Sequence, residues 1–386
     1  MSRVLVVESS YENCRDAVER AFATFPVPVA GKRVAVKINA LKSCDPDAQA
    51  MVTHYRMIQA VIGALEARNA AEIAVGDSVG TESYGNSEKI FCNSRLKEGA
   101  GKYYKNFNRN LQVVELTHPF PRKVAVLKDV LDADVYISVP KMKTHGLTMI
   151  SGSVKNNYGL LTGAQKAWYH YYCVSPEVFA RIPVEMYRLR KPDLVIMDAI
   201  LAMEGFGPAS PETRWVNRVL AATDGVALDT VQTRMVGFQL EDVPYLRLCR
   251  EMGLGETDLD RIEILGDASP IADWHRPTPP EYSFSYKAGV GSGRTSIDFY
   301  RDRVAYRPVI SAEACRYAQG CRDCVKLCPS GALAEGPDLP VLTPSTCFVC
   351  SACKEACQYG AVELAPDPAL VASLRAAETA GVPGRP

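Results

Sequence analysis

The apolar positions of residues 1–270 switch repeatedly between the period of a strand and that of a helix. MSRVLVVESS reads as an opening strand, and Val34–Ile38 is a short β-rich run ending at Asn39. After a polar loop (Lys42, Ser43, Cys44, Asp45, Pro46), Thr53 is placed to cap a helix whose apolar stripe is Met57, Ile58, Val61, Ile62 and Leu65. Ile73–Val75 is a further strand that ends at Gly76 and Asp77, which completes one βαβ unit, expected to be parallel and right-handed. More strands are expected at 134–139, 193–198 and 218–222, with helices near 176–190, 225–237 and 243–252. This alternation predicts an α/β domain with a mostly parallel sheet and flanking helices over residues 1–270. Residues 271–310, with Pro277, Pro279 and Pro280, read as an irregular linker. Residues 311–366 form a small cysteine-bearing α+β module, and 367–386 a short helix with a frayed tail.

Composition narrows the classes. A chain of 386 residues, 47% hydrophobic, can bury a large core in two or three domains. Its formal net charge is zero and no basic run is interleaved with aromatics, so no nucleic-acid partner is expected. No apolar stretch approaches the ~20 residues of a membrane span, and the first residues do not read as a signal peptide. Thirteen cysteines in such a chain point to a reducing, cytoplasmic setting.

Eight of those cysteines lie between 315 and 357, in two runs: Cys315, Cys321, Cys324, Cys328 and Cys347, Cys350, Cys353, Cys357. A shift of 29 residues superimposes Cys321 on Cys350, Cys324 on Cys353, Cys328 on Cys357 and Gly331 on Gly360, so the block is an internal repeat. The C-x2-C-x3-C-P spacing resembles the run of bacterial two-cluster ferredoxins, in which the fourth cysteine ligates the other cluster. That resemblance implies two [4Fe-4S] clusters. One would be held by Cys315, Cys321, Cys324 and Cys357, the other by Cys328, Cys347, Cys350 and Cys353. Two departures stand out. Ala318 occupies the position where the first cysteine belongs, with Cys315 three residues earlier, and Gln358 replaces the final proline. If Cys315 does not ligate iron, its cluster has an open corner or only three irons. A pair of zinc sites is the competing reading of C-x2-C pairs. Cys14, Cys44, Cys92, Cys173 and Cys249 are scattered and read as small buried hydrophobes.

Most of the conspicuous polar residues of the α/β region follow strands: Asn39, Asp77, Lys141, Lys143, Asp198 and Asp224. Ligands of open α/β sheets bind beyond the carboxyl ends of strands, and Cys44 falls in the loop entering that crevice. The densest segment, 140–170, carries Lys141, Lys143, Lys155, Lys166, His145, His170, Asn156 and Tyr158 among four glycines. Lysines at i and i+2 of an extended segment share a side, which gives a pocket for a carboxylate or phosphate with His145, His170 or Tyr158 as proton donor. A solvated basic loop is the bland alternative. Asp198 and Glu204 read either as an acid/base or metal pair or as a strand-end cap and a loop carboxylate. Gly289–Gly293 lacks the dinucleotide fingerprint, and a flavin held without a motif stays open.

The P-K-x-K-T-H…K-N-x-Y-G segment and the E-G-x-G-P segment, with ATDGVALDTVQTRMVG, resemble the DUF362 family, a domain of unknown function whose members often carry a ferredoxin module. The positions matching its pattern are Lys141, Lys143, His145, Lys155, Asn156, Tyr158, Gly159, Lys166, His170, Asp198, Glu204, Gly205, Gly207, Pro208, Asp224 and Asp229. The resemblance implies a site there and names no reaction. Two functions fit. One is a reductase passing electrons from an external low-potential donor (ferredoxin, flavodoxin or reductase) through the clusters to an anionic small molecule. The other is an electron carrier or cluster-assembly protein whose α/β domain docks a partner protein.

Overall fold

A computed structural model describes residues 1–79, 87–117, 122–163, 165–173, 175–277, 301 and 304–379. The α/β region contains β1 (Ser2–Glu8), β2 (Arg33–Lys37), β3 (Glu72–Gly76), β4 (Leu111–Glu115), β5 (Lys123–Leu127) and β6 (Val135–Ser138), then β7 (Lys141–His145), β8 (Met149–Ser151), β9 (Leu194–Met203), β10 (Thr213–Ala222) and β11 (Ile262–Gly266). The central sheet runs β11-β1-β10-β9-β6-β2-β3, with β7 beside β9 and β8 beside β7. β2 is parallel to both β3 and β6, and β9 is parallel to β6 and β7. β10 is antiparallel to both its neighbours. The fold is therefore α/β with a mixed, mostly parallel sheet.

β9 explains why the sheet is central. All ten of its residues are buried, as a strand covered on both faces requires. Its side chains alternate between two cores: Ile196 and Ile200 join Val36, Ile58 and Leu65 on one face, whereas Val195 and Met197 join Val231 and Leu246 on the other. The strand runs on to Met203, past the expected end at 198, so Asp198 lies inside it rather than after it. The extension has a physical cause: β9 leaves β6 after Val195 and gains β7 as a new partner, with Lys141 opposite Asp198.

The helix Tyr55–Ala67 buries the predicted stripe, but His54 and not Thr53 is its cap, with the imidazole accepting the Arg56 N–H at 3.2 Å. Thr53 serves the sheet instead. Its hydroxyl accepts Asn39 N–H at 2.9 Å and donates to Val139 O at 2.6 Å, which ties the end of β2 to the end of β6. From β2 the chain crosses to β3 on one side and later returns to β6 on the other. In open α/β sheets, ligands bind beyond the strand ends at such a reversal.

The cysteine module has two small antiparallel pairs, β12 (Tyr306–Ile310) with β15 (Val362–Pro366), and β13 (Leu333–Ala334) with β14 (Val341–Leu342). Tyr306–Ile310, expected within the linker, thus belongs to the module. The 29-residue repeat extends to the backbone: Gly331 and Gly360 have φ of +68° and +64°. The module shares a core with the α/β domain, where Phe348, Ala352 and Leu374 pack with Leu161, Trp168 and Tyr169. The Pro368–Thr379 helix is anchored there by Glu378, which accepts from Tyr171 and Arg301. The Gly289–Gly293 stretch lies outside the described residues. No helix among the described residues is long and apolar enough to cross a membrane.

Candidate functional site

Five lysines converge at the β2/β6 reversal. Two are neutralised by buried carboxylates. Lys37 Nζ, from the end of β2, lies 2.7 Å from Asp77 Oδ1 and also donates to Asn156 Oδ1 at 3.3 Å. Lys141 Nζ lies 2.8 Å from Asp198 Oδ2, with the Tyr11 hydroxyl 2.7 Å from the ammonium and 3.1 Å from Asp198 Oδ1. The His54 N–H completes the Asp198 shell at 2.9 Å. Asp77 further accepts the N–H groups of Ala40 and Ser78. A Cβ at Gly159 would stand 2.5 Å from Lys37 Nζ, so only glycine admits this lysine beside the Lys155–Gly159 turn.

The other three lysines make no ion pair among the described residues. Lys143 Nζ donates to Asn39 Oδ1 and to Met51 O, and Lys166 Nζ to Ser78 O, Ser78 Oγ and Leu161 O. Lys155 Nζ has no hydrogen-bond or ion-pair partner among the described residues and lies over the rings of Tyr158 and Phe179, at 5.3 and 5.5 Å. Burial, reinforced by neighbouring lysines, pushes Lys143, Lys155 and Lys166 each down to about 7.

The aromatic wall is neutral. His145 Nδ1 accepts the N–H groups of Leu147 and Thr148, and burial, with Lys155 nearby, holds the ring well below its ordinary pKa. His170 Nδ1 lies 2.6 Å from Lys166 O, which fixes it as the protonated nitrogen, and burial pushes the ring to about 3. Tyr158 donates its hydroxyl to the same carbonyl at 2.7 Å. At neutral pH the lysines, not these imidazoles, hold the exchangeable protons.

The structure thus brings together Asn39, Asp77, Lys141, Lys143, His145, Lys155, Asn156, Tyr158, Lys166, His170 and Asp198. It does not bring in Glu204. That carboxylate accepts from Arg214 Nε at 2.9 Å and from the His275 N–H at 3.1 Å, so it shares no partner with Asp198 and the two are not a pair. Asp224 caps the helix Gly225–Met235, and Asp229 accepts the Ser153 and Val154 N–H groups, which sets the turn that carries Lys155. Cys44 is a buried thiol raised by desolvation. Sequence reasoning missed Lys37, Tyr11, His54 and Ser78. Lys37 had a usable signal: a lysine inside the apolar run of β2 is buried only when paired.

The eight cysteines fall into two sets around separate small pockets. Cys315, Cys321, Cys324 and Cys357 surround one, walled by Ile310, Tyr317 and Val362. Cys328, Cys347, Cys350 and Cys353 surround the other, walled by Leu333, Phe348 and Leu364. Each set takes three cysteines from one run and one from the other, and the displaced Cys315 joins its set. Backbone N–H groups donate to sulfur in both: Ala361 to Cys357 Sγ at 3.3 Å and Leu333 to Cys328 Sγ at 3.4 Å. Val349 and Ser351, on either side of Cys350, hold left-handed φ of +53° and +57°.

Residues 34–234, just over half the chain, match the family described as domain of unknown function DUF362. A thylakoid-associated protein of Synechocystis is 35% identical over 131 residues, covering 34% of this chain and 41% of that protein. A ferredoxin of Alicyclobacillus acidocaldarius is 42% identical over 40 residues, 10% of this chain and 51% of the ferredoxin. The chain spans about half or less of the length of these curated relatives. Among solved structures, the lactate racemase apoprotein of Thermoanaerobacterium thermosaccharolyticum is similar at 13% identity and a TM-score of 0.42, over 61% of this chain and 57% of that one. A Thermotoga maritima protein is similar at 11% identity and a TM-score of 0.38, over 63% and 59%.

Proposed function

This chain belongs to the DUF362 family, and we propose that it is an iron–sulfur oxidoreductase that uses two [4Fe-4S] clusters to reduce an anionic small molecule held by the crevice lysines. The observation that carries the reading is the crossed grouping of cysteines, Cys315/Cys321/Cys324/Cys357 and Cys328/Cys347/Cys350/Cys353. Four thiols, apolar walls and N–H donors aimed at sulfur are the donor set of a cubane cluster. Bound there, the clusters supply low-potential one-electron transfer.

The crevice residues do the rest. Lys155, with its N–H groups uncommitted, and Lys143, with one N–H to spare, attract the anion, while the Lys37–Asp77 and Lys141–Asp198 pairs hold the walls in place. Lysines poised near pH 7 can give up a proton and regain it, which suits a substrate gaining negative charge. An external low-potential donor protein completes the cycle.

Anaerobically purified protein should contain about eight irons, the content of two [4Fe-4S] clusters, and show two paramagnetic signals on reduction with dithionite. Cys350→Ser should remove one signal and leave the other. Stoichiometric zinc in place of iron would overturn the proposal.

A further inference from the structure

The cysteine module meets the crevice through the loop 161–166. Thr162, fully buried, donates its hydroxyl to Cys350 O at 2.9 Å and accepts from Gln165 Nε2 at 2.9 Å. Gln165 is itself locked on β5, donating to Ala125 O and accepting the Ala125 N–H. These roles leave the Thr162 proton one direction, toward the Cys350 peptide. One residue on, the Gly163 N–H donates to Ser78 Oγ at 3.1 Å, the same hydroxyl that accepts from Lys166 Nζ at 2.8 Å. Ser78 N–H donates to Asp77 Oδ1, the partner of Lys37. A Cβ at Gly163 would lie 2.8 Å from Ser351 Oγ, so glycine is what lets the loop close on the neighbour of Cys350.

The Cys315-containing set is attached differently. Arg109 donates to Cys357 O at 3.0 Å and to Glu355 O at 3.2 Å, and its hydrogen bonds go nowhere else among the described residues. Among the described residues, buried hydrogen bonds thus join one set to the lysines, whereas the exposed Arg109 holds the other.

We propose that Thr162 and Ser78 are positioning residues that couple the inner set, Cys328, Cys347, Cys350 and Cys353, to the lysine crevice. A change of charge in the crevice then moves the reduction potential of the inner cluster and leaves the outer one unchanged. This rests on the iron–sulfur reading above. Cluster potentials respond to nearby charge and to hydrogen bonding around the ligands, and such coupling between two sites is reciprocal. Lys166, joined to Ser78 and through it to Gly163, is the crevice charge nearest this route.

The test is a potentiometric titration of the anaerobic holoprotein followed by electron paramagnetic resonance, with the signals assigned by Cys353→Ser (inner) and Cys321→Ser (outer). Lys166→Gln removes a positive charge and should raise the oxidised-to-reduced ratio of the inner cluster about tenfold at fixed potential, about 59 mV for one electron. Thr162→Val should move the same signal by less, and Thr162→Ser should restore it. The double variant Thr162→Val/Lys166→Gln should shift by less than the two single shifts together. Ser78→Ala, which removes the shared hydroxyl, should reproduce Thr162→Val and keeps the test open if that variant loses iron. Equal shifts of both clusters, strict additivity, or no rescue by serine would overturn the coupling. Absence of iron from the wild-type protein would instead overturn the functional proposal.

Discussion

Asp198→Asn isolates the charge of a carboxylate at the centre of the sheet. Both members of the Lys141–Asp198 pair are fully buried, and desolvation already lowers the Lys141 pKa. The amide keeps the shape of the carboxylate and one accepting oxygen, but it removes the negative charge that offsets the buried ammonium. Removing one partner of a buried pair costs about 3–5 kcal/mol. Lys141 can limit that cost by releasing its proton. Neutralising a lysine of ordinary pKa near 10.4 at pH 7 costs about 4.6 kcal/mol, and at pH 9 about 1.9 kcal/mol. Between those values the unfolded chain of the variant holds a proton that the folded chain lacks, so its stability rises with pH. The deficit against wild type should therefore shrink from about 4 kcal/mol at pH 7 to about 2 kcal/mol at pH 9. Contributions from the other crevice lysines are common to both proteins and cancel in the difference. Urea unfolding followed by intrinsic fluorescence at pH 7, 8 and 9 measures it. The double variant Lys141→Met/Asp198→Leu, with no buried charge left, should recover most of the loss. A deficit that does not change with pH, or a double variant as unstable as the single one, would refute the reasoning.

Sulfate, which does not titrate in this range, should bind the crevice more weakly as pH rises above 7, by up to about tenfold per pH unit for each lysine that must take up a proton. The sign follows from Lys155, which sits near 7 when empty and must be charged when the anion is bound. Calorimetry in two buffers of different ionisation enthalpy should register proton uptake that Lys155→Met removes, and pH-independent affinity would count against the site. Asp224→Ala removes a cap that accepts the Val226 and Ala227 N–H groups, and should cost about 1–2 kcal/mol in a urea titration while sulfate affinity stays unchanged.

Periodicity carried the α/β region well because its strands are buried on both faces and its helices on one, so the pattern follows burial directly. β9 escaped at its far end, since Asp198 and Glu204 look like strand-ending residues. A polar residue inside a strand is legible only once its partner is known, and Lys141 pairs from β7, 57 positions away. Thr53 shows the same limit. Its hydroxyl suits a helix cap, but the Val139 carbonyl is the stronger claimant because the sheet brings it within 2.6 Å. The crossed arrangement of the cysteines follows the 29-residue repeat, which constrains both halves at once, and Cys315, whose shifted position left its place open in the sequence, lines the same pocket as Cys321, Cys324 and Cys357. The crevice was half legible. Lys141 and Lys143 share a side of β7 as the alternation requires, but Lys37, Tyr11 and His54 come from three other places in the chain, and only strand order brings them in.

The charge count of the crevice gives these residues a common purpose. Five lysines face two ion-paired aspartates, Asp77 and Asp198, and burying three further full positive charges without compensation would be costly. The fold meets that cost by letting Lys143, Lys155 and Lys166 sit near 7, where they are only part charged. Any negative charge brought close reverses the balance and draws protons in. An anion in the crevice does so directly. On the functional proposal above, an electron added to a cluster held by the adjacent cysteine set would do so from the other side of Thr162, with the same sign. Under that proposal anion binding, proton uptake and reduction would reinforce one another, which would favour a substrate that gains both electrons and protons over an anion that is merely held.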